Sequence, residues 1–371
     1  MHDVLLIGGG VVGLSLAWDL ARHGQRVRVI DQSQPGREAS WAGAGILPPA
    51  GTRHLSHPYE QLATLACELH PRWSADLLAA TGIDNGYRLC GGLYLARTTG
   101  EAAALAAWAA TQADDGLEVR RLSAAELAQL EPALAADHEA ARQTAARYLL
   151  PGEAQLRNPR HLKALLAACG QAGVEITPDV TSLAFRVESG RLAELHSSIG
   201  PLAAQQYCLT AGAWTGELLK QLGIAVGILP IRGQMLLFRT ERPLLTRIVN
   251  VGSRYLVPRD DGHLLVGSTE EEVGFDKRNT AEGLADLTDF ARRLVPALAD
   301  APLVRSWAGL RPGSLDGFPF LGRIPGLANA FVAAGHFRHG LYLSPATAMV
   351  MSQLMRGETP AIDLAPLAIG R

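Results

Sequence analysis

A glycine-rich turn between an apolar strand and a helix is the feature that most constrains the fold of this chain. The run Val4-Leu5-Leu6-Ile7 predicts a buried parallel strand. Gly8, Gly10 and Gly13 follow it with the spacing G-x-G-x-x-G, where a helix is predicted to begin. A second predicted strand ends at Asp31, whose carboxylate is placed to accept hydrogen bonds from an adenosine ribose. Because glycines permit a tight turn and close approach of a pyrophosphate, this unit predicts dinucleotide binding.

The composition argues against several classes of protein. The chain has 371 residues, which suits about two domains, and a formal net charge of −2 without a basic tract, so we expect no nucleic-acid partner. Its four cysteines are scattered without a C-x-x-C pair, and no apolar run reaches the roughly twenty residues of a membrane span. The first strand begins too close to Met1 to leave room for a cleaved signal. We therefore expect a cytoplasmic enzyme with no membrane span.

The order of predicted elements alternates α/β stretches with an antiparallel block. Hydrophobic periodicity predicts helices over 58–80, 101–114, 158–172, 280–295 and 341–355, and strands over 89–97, 180–187, 231–239, 255–259, 263–268 and 331–333. We predict an α/β fold, in which a Rossmann-like nucleotide-binding domain with a parallel sheet receives an inserted α+β domain of mainly antiparallel sheet. The first domain is predicted over 1–78, 140–226 and 305–371, and the second over 79–139 and 227–304.

Six motifs together resemble the glycine oxidase branch of the D-amino acid oxidase family of flavoenzymes, over essentially the whole chain. They are the glycine turn with Asp31, Ala39-Ser40-Trp41-Ala42-Gly43-Ala44-Gly45, Thr210-Ala211-Gly212-Ala213-Trp214, Tyr255-Leu256-Val257-Pro258-Arg259, Trp307-Ala308-Gly309-Leu310-Arg311-Pro312 and Ala334-Gly335-His336-Phe337-Arg338-His339-Gly340. The resemblance implies non-covalent FAD and a substrate domain whose sheet roofs the flavin. It also implies two-electron oxidation of an amine or α-amino acid, with O2 as the final acceptor.

The glycine turn and the resemblance together predict a set of cofactor-binding residues. They are Gly8, Gly10, Val11, Val12, Gly13, Asp31, Gln32, Ala39, Ser40, Ala44, Gly45, Ile46, Val180, Ala211, Gly212, Trp214, His336, Phe337, His339, Gly340, Leu341 and Tyr342. The small residues of 39–45 allow backbone to lie flat against a ligand, although they equally suit a close helix contact. A helix N-terminus at Leu341 would favour the negative charge that a flavin gains on reduction. His336 and His339 lack a third ligand nearby, so we predict no metal.

Arg311 is the first candidate for substrate binding. A guanidinium offers a bidentate fork to a carboxylate, and the apolar residues 307–310 indicate that it is buried; the alternative is a surface arginine beside a turn at 312–313. The resemblance implies the same role for Arg311 and adds Tyr255 and Arg338 to the substrate site. From the residues alone, Tyr255 is better explained as a half-buried aromatic residue of a strand.

Glu270 departs from the family pattern, in which an apolar side chain lines the pocket at this position. A carboxylate there would repel a substrate carboxylate unless an arginine lay between them, and it would attract an ammonium or a second cationic group. The alternative is that Glu270-Glu271-Glu272 is a solvated acidic loop. Glu270 is therefore a candidate substrate-binding residue with two interpretations open.

These observations predict flavin-dependent oxidation of glycine, or of another small amino acid or amine, to the imine. Hydride transfer to FAD requires no catalytic acid or base from the protein, whose contribution is orientation and electrostatics. Reoxidation by O2 would give H2O2. The resemblance further implies a role in thiamine thiazole synthesis, and we expect a homo-oligomer.

Several alternatives remain open at this point. Within the class, they are a sarcosine or other N-alkyl amino-acid oxidase and a D-amino-acid dehydrogenase that passes electrons to a carrier. Single-chain sarcosine oxidases tether flavin through a cysteine late in the chain, whereas the last cysteine here is Cys208. From other classes, the net charge disfavours a flavin domain acting on a modified RNA nucleoside. The motifs other than the glycine turn disfavour an NAD(P)-binding protein.

Overall fold

The computed structural model describes residues 2–53, 55–135 and 145–371. The helices are α1 Val11–Arg22, α2 Ala39–Ala42, α3 Pro58–Thr81, α4 Thr99–Asp114, α5 Ala124–Leu130, α6 Pro132–Ala135, α7 Asn158–Gln171, α8 Thr215–Gln221, α9 Ala281–Leu294 and α10 Gly340–Met355. The strands are β1 His2–Ile7, β2 Val27–Ile30, β3 Ile46–Leu47, β4 Arg88–Leu89, β5 Gly92–Ala96, β6 Arg120–Arg121, β7 Ala146–Leu150, β8 Ala154–Gln155, β9 Glu175–Thr177, β10 Ser182–Glu188, β11 Arg191–Ser197, β12 Gly200–Leu202, β13 Ala204–Leu209, β14 Ile228–Arg239, β15 Ile248–Val251, β16 Arg254–Pro258, β17 His263–Gly267, β18 Leu303–Ser314, β19 Phe320–Arg323 and β20 Ala330–Ala334.

The first sheet is the Rossmann-like part of the fold. Its strand order is β19-β20-β13-β1-β2-β9, and all neighbours are parallel except the edge strand β19. Its two faces are buried in different ways. Val4 and Leu6 of β1 belong to the core shared with α1, α3, α7 and α10, whereas Leu5 and Ile7 pack towards Leu192 of the β10–β12 meander. Among the described residues, no helix combines the length and apolar character needed to cross a bilayer.

The second sheet has eight strands in the order β18-β14-β17-β16-β15-β5-β7-β6. Its pairs are antiparallel except β15 with β5. Along β14, the even-numbered Leu236 and Phe238 pack against Leu287 and Phe290 of α9, while Met235 joins a separate cluster on the opposite face. Because side chains alternate along a strand, the odd-numbered residues of β14, β16 and β18 lie on the opposite face from α9. This face is turned towards the carboxyl ends of the parallel strands of the first sheet.

The predicted fold class is confirmed, and the differences are local. The strand predicted over 89–97 is divided into β4 and β5, because Gly91 has a φ of +75°. The helix predicted from residue 101 begins two residues earlier, since Thr98 Oγ1 caps it by accepting from the amide of Glu101. The meander of β11 and β12 was not predicted.

The predicted division into two domains stays a proposal. The boundary between 139 and 140 lies outside the described residues, and the boundary at 305 falls within β18. Because β7 and β18 both belong to the eight-stranded sheet, we propose that the boundaries of the second domain lie just after these strands.

Candidate active site

A cavity of about 500 Å³ lies between the first sheet and the odd-numbered face of the eight-stranded sheet. Its lining combines the ends of β1 and β2 with the N-termini of α1 and α10. Residues of β14, β16 and β18 complete it on the other side. The cavity therefore lies where ligands bind in open parallel sheets, at the carboxyl ends of the strands.

The turn before α1 leaves backbone, not side chains, at the edge of this cavity. Gly8 has a φ of +117°, and a Cβ there would lie 2.5 Å from the Thr210 carbonyl oxygen. Gly10 is the N-cap of α1 and supplies no side-chain cap, while the Val11 amide donates to Ser40 Oγ at 2.9 Å. Gly13 does not line the cavity. A Cβ at Gly13 would lie 2.0 Å from the Gly8 carbonyl oxygen, so this glycine allows α1 to pack on the turn.

Asp31 is held in a fixed orientation at the end of β2. Its Oδ2 accepts from the Gly9 amide at 2.8 Å, and its Oδ1 accepts from the Ser33 amide at 2.9 Å. Oδ1 also accepts from Ser33 Oγ at 3.3 Å, so Oδ2 is the oxygen that keeps further lone-pair capacity. Asp31 and Gln32 both line the cavity, and Asp31 thus has the placement predicted for a ribose-binding carboxylate.

The small residues at 39–45 satisfy both interpretations made from the sequence. Trp307 Nε1 donates to the Ala42 carbonyl oxygen at 3.0 Å, and a Cβ at Gly309 would lie 2.6 Å from Ala42 Cβ. Gly45 has a φ of +78°, and a Cβ there would lie 2.0 Å from the Leu156 carbonyl oxygen. The segment therefore packs tightly against β18 while it also contributes to the cavity lining.

The turn before α10 closes another side of the cavity, and its two histidine side chains are uncharged. Burial lowers the pKa of His336 to about 3, and Nε2 of this residue lies 3.1 Å from Thr347 Oγ1. Burial also lowers the pKa of His339, whose Nδ1 lies 2.7 Å from the hydroxyl of Tyr59. Both rings are therefore neutral near pH 7, which leaves Arg338 and the N-terminus of α10 as the positive groups of this turn.

The residues present fit an extended dinucleotide. Two helix N-termini and the carboxylate of Asp31 face one cavity, and side chains are sterically excluded at Gly8. Most residues predicted to bind the cofactor line the cavity: Gly8, Gly10, Val11, Val12, Asp31, Gln32, Ala39, Ser40, Ala44, Gly45, Ile46, Val180, Ala211, Gly212, Trp214, His336, Phe337, His339, Gly340 and Leu341. Tyr342 does not, because its buried hydroxyl donates to the Ala63 carbonyl oxygen at 3.2 Å in the helical core.

Arg311 lies on β18 with its guanidinium over the backbone of β14. A Cβ at Gly233 would lie 2.1 Å from Arg311 Nη2, so a side chain at that position would displace the guanidinium. Within the described residues, its hydrogen bonds go to neutral groups: Nη2 donates to Ser268 Oγ at 2.6 Å and Nη1 to the Thr269 carbonyl oxygen at 3.2 Å. Burial lowers the pKa of Arg311. The alternative of a surface arginine beside a turn does not hold, because β18 continues to Ser314.

Arg338 lines the same cavity in a different environment. Its Nη2 lies 2.7 Å from Glu270 Oε2, and the two side chains are 31% and 47% exposed. Glu270 itself does not line the cavity. Both interpretations of Glu270 therefore stay open, since the carboxylate is about half exposed and also contacts an arginine of the cavity wall.

Tyr255 belongs to a row of residues that runs across the eight-stranded sheet. The strand register places Trp307, Met235, Gly267, Tyr255, Asn250 and Tyr94 side by side on successive strands. Gly267 makes room for its neighbours, since a Cβ there would lie 2.5 Å from Met235 Sδ and 2.6 Å from Tyr255 Cε2. The Tyr255 hydroxyl accordingly reaches Met235 Sδ at 3.5 Å, on the side of the row towards β14.

Met235, Asn250 and Tyr94 are cavity-lining residues that the sequence analysis missed. The alternation of side chains along β14 could have identified Met235, because its odd-numbered position places it on the face opposite to the even-numbered apolar residues that pack on α9. Asn250 and Tyr94 gave no local signal. Their proximity depends on the parallel pairing of β15 with β5, which joins distant parts of the chain.

The comparisons with known proteins agree with this geometry. A profile of the family described as DAO, FAD dependent oxidoreductase, matches residues 3–354. Glycine oxidase of Pseudomonas putida is 39% identical over 367 residues, which cover 99% of this chain and 98% of that protein.

Solved structures show the same fold over the full chain. The crystal structure of glycine oxidase from Geobacillus kaustophilus has a TM-score of 0.94 and 33% identity, and covers 100% of this chain and 98% of that one. Iminodiacetate oxidase from Chelativorans sp. BNC1 has a TM-score of 0.88 and 28% identity, with coverage of 99% and 98%. The predicted resemblance and fold are thereby confirmed.

Proposed function

Because the chain belongs to the DAO family of FAD-dependent oxidoreductases, we propose that it oxidises glycine, or a similarly small amino acid, at the carbon that bears the amino group. The observation that carries this substrate class is the guanidinium of Arg311. It lines the cavity, and its hydrogen bonds within the described residues go only to neutral groups. A positive charge withdrawn from water in this way is best compensated by an anionic ligand.

A carboxylate is the anion that suits this site. The planar guanidinium binds a carboxylate through two parallel hydrogen bonds, which fixes both the position and the orientation of the ligand. We assign Tyr255 as a second donor to the same carboxylate. Met235 and Tyr255 occupy the sheet surface beside Arg311, which supports a small substrate.

FAD, when bound, supplies a two-electron hydride acceptor. The residues of this chain contribute binding and orientation: Arg311 and Tyr255 hold the carboxylate, so that the Cα hydrogen of the substrate has a fixed direction. Gly8, Gly10 and Asp31 would hold the nucleotide part of the cofactor. No side chain is required to take the Cα hydrogen as a proton, since it leaves as hydride.

The test is a spectrum of the purified holoenzyme. Glycine added under nitrogen should bleach the yellow absorbance, and air should restore it with release of H2O2 and glyoxylate. Acid precipitation should release FAD into the supernatant. Colour that persists with glycine but is bleached by sarcosine or iminodiacetate would overturn glycine as the substrate in favour of an N-substituted amino acid. Reoxidation by a quinone but not by air would identify a dehydrogenase.

We further propose O2 as the electron acceptor, a cytoplasmic location, a homo-oligomeric state and a role in thiamine thiazole synthesis. The four free cysteines support a reducing compartment. The likeness to glycine oxidases supports the oxygen and thiazole proposals. Light scattering of the purified protein would measure the oligomeric state.

A further inference from the structure

A second, smaller cavity lies at the turn between β16 and β17 and shares no lining residue with the first. Its wall combines β4, β8, the start of α7 and the β16–β17 turn. Four of its residues are arginines, which we call the arginine cluster: Arg88, Arg157, Arg160 and Arg259. Asp260 and Asp261 are the acidic residues among the described part of the lining, which thus has two more positive than negative charges.

Arg259 is the buried member of the arginine cluster. It is 9% exposed, and its Nη1 donates to Gln155 Oε1 at 2.6 Å and to the Leu156 carbonyl oxygen at 3.0 Å. Its Nη2 donates to the Ala44 carbonyl oxygen at 2.7 Å. All three acceptors are neutral, so these hydrogen bonds fix the guanidinium in place without cancelling its charge.

Two other members of the cluster repel this buried guanidinium. Burial, followed by the nearby charges of Arg157 and Arg88, lowers the pKa of Arg259 to about 9. Cys90 and Asp261 act in the opposite direction, but more weakly. Arg259 therefore stays a cation near pH 7, with two further cations beside it.

The two aspartates offset this charge only in part. Asp260 pairs with Arg88 and is 79% exposed, so water screens much of its charge. Asp261 Oδ2 lies 2.5 Å from Arg157 Nη1, and its Oδ1 lies 2.8 Å from His263 Nδ1. Arg160 is exposed, and its side chain has no hydrogen bond or ion pair within the described residues. The cluster consequently keeps positive charge that no carboxylate of the wall contacts.

The size and charge of the cavity suit a phosphoryl group. Its volume of about 80 Å³ is several times the roughly 10–15 Å³ that a single water needs, and far below the 500 Å³ of the first cavity. A phosphoryl group carries about 1.5 to 2 negative charges near pH 7, close to the surplus of the wall. Its oxygens accept from several guanidinium forks at once, whereas a carboxylate brings two oxygens and one charge.

We propose that the arginine cluster is a binding site for a phosphoryl oxyanion, supplied as inorganic phosphate or as the phosphoryl group of a small metabolite. The bound anion would supply the counter-charge that Arg259 lacks and lie between it and the exposed Arg160. This site is separate from the proposed oxidation and does not depend on it.

Arg259 also links this site to the larger cavity. The carbonyl that its Nη2 holds belongs to Ala44, and both Ala44 and Gly45 line the larger cavity. An anion that offsets the repulsion within the cluster stabilises Arg259 in this position, and with it the segment 44–45. We therefore expect the bound oxyanion to slow the release of FAD, since two sites that share one element are coupled.

The experiment titrates the FAD-loaded enzyme with inorganic phosphate by calorimetry at pH 7, with the ionic strength held constant by NaCl. We expect a dissociation constant on the order of 1 mM or lower. A parallel titration with glycerol phosphate distinguishes the two sources. Similar affinity for both probes would assign the site to the phosphoryl group of a metabolite, and a clear preference for inorganic phosphate would assign it to the free anion.

Two variants should change the affinity for phosphate in opposite directions. Arg160→Gln removes a charge whose side chain has no partner within the described residues, and it should weaken binding about tenfold. Asp260→Asn removes a negative charge of the wall and should strengthen binding about threefold. Arg186→Gln is the matched control, since Arg186 is an exposed arginine paired with Glu188 away from this cavity.

The release of FAD is followed by the rise in flavin fluorescence after dilution, with and without saturating phosphate. It should slow about twofold or more with phosphate in the unmodified enzyme, and much less in Arg160→Gln. No binding of either probe, or equal binding by Arg160→Gln and the unmodified enzyme, would overturn the site. Binding that leaves the release of FAD unchanged would overturn its link to the cofactor. Each of these failures leaves the proposed function intact, because none of them measures the oxidation of glycine.

Discussion

Arg311 and Arg338 line the same cavity but differ in burial and in charge compensation. Arg311 is held over Gly233 among carbonyl and hydroxyl groups, and burial lowers its pKa. Arg338 is about one-third exposed and forms an ion pair with Glu270 at 2.7 Å. Water and a directly contacting carboxylate therefore compensate Arg338, whereas Glu270 acts on Arg311 only at longer range and the described hydrogen bonds of Arg311 go to neutral groups.

This difference separates two functions that a guanidinium can have in a binding site. A desolvated charge that has no direct ion pair within the described residues contributes strongly when its ligand arrives, because truncating one partner of a buried charge pair costs about 2–5 kcal/mol. An exposed ion pair contributes on the order of 0.2–1 kcal/mol. We therefore expect Arg311 to determine whether a substrate binds, and Arg338 with Glu270 to adjust which substrate is preferred.

The largest effect is expected for Arg311→Ala. Loss of a bidentate, charge-assisted contact should lower kcat/KM for glycine about a hundredfold or more, a cost of about 3 kcal/mol, while flavin stays bound. Arg311→Lys should recover only part of the lost kcat/KM, since an ammonium does not reproduce the planar fork of the guanidinium. Steady-state kinetics and the flavin content of each variant measure this.

Arg305→Ala provides the control on the same strand. Arg305 is exposed and lies over the ring of Trp41, outside the cavity lining. Arg305→Ala should leave kcat/KM within about twofold of the unmodified enzyme, as is usual for surface substitutions. Near-normal kinetics in Arg311→Ala would contradict the contrast between the two arginines.

An intermediate effect is expected for Gly233→Ala. The new Cβ would lie 2.1 Å from Arg311 Nη2, so the flexible arginine must move from its place above β14. Because small misplacements of binding groups are costly, kcat/KM should fall about tenfold without loss of FAD. Gly170→Ala in α7 is the matched control, since nothing lies within 4 Å of a Cβ there. A similar loss in both variants would show that position 233 has no special relation to Arg311.

The smallest effect is expected for Glu270→Gln. Removing this charge frees Arg338, so glycine and dicarboxylates such as iminodiacetate should gain about two- to fivefold in kcat/KM. Substrates with an additional cationic group should lose a similar factor. Kinetics with the three substrates at low and at high salt measure this, because an exposed pair is screened by salt. A uniform response of all three would assign Glu270 to a solvated loop without influence on specificity.

The nucleotide-binding end of the cavity was predictable because its determinants are local. Gly8, Gly10 and Asp31 lie within a single βαβ unit, where glycine spacing and strand ends fix their relation. Arg311 was also predicted, since its apolar lead-in and the motif around it indicate a buried guanidinium, and the structure places it in the cavity lining. Tyr342 was also predicted to bind the cofactor, and the structure places it outside the cavity lining. Each residue of a helix turns by about 100°, so Tyr342 points away from the face that Gly340 presents to the cavity.

The end of the residue row at β5 and β15 was not predictable, because its residues are far apart in the sequence. Tyr94, Glu153 and Asn250 come from three segments, and only the register of β5 with β15 brings them together. A shift of one residue in either strand would turn one of the two side chains to the other face of the sheet. No pattern within a single segment specifies that register.

The pairing of β14 with β18 has a consequence for synthesis of the protein. A ribosome completes β14, a strand of twelve residues, well before it reaches β18. Until then, one long edge of β14 is unpaired, which is a template for association with other chains. Arg311 and the strand β20 are also made late. Premature termination ahead of β18 should therefore yield an aggregating fragment, and a chaperone that shields this edge should raise the yield of active enzyme.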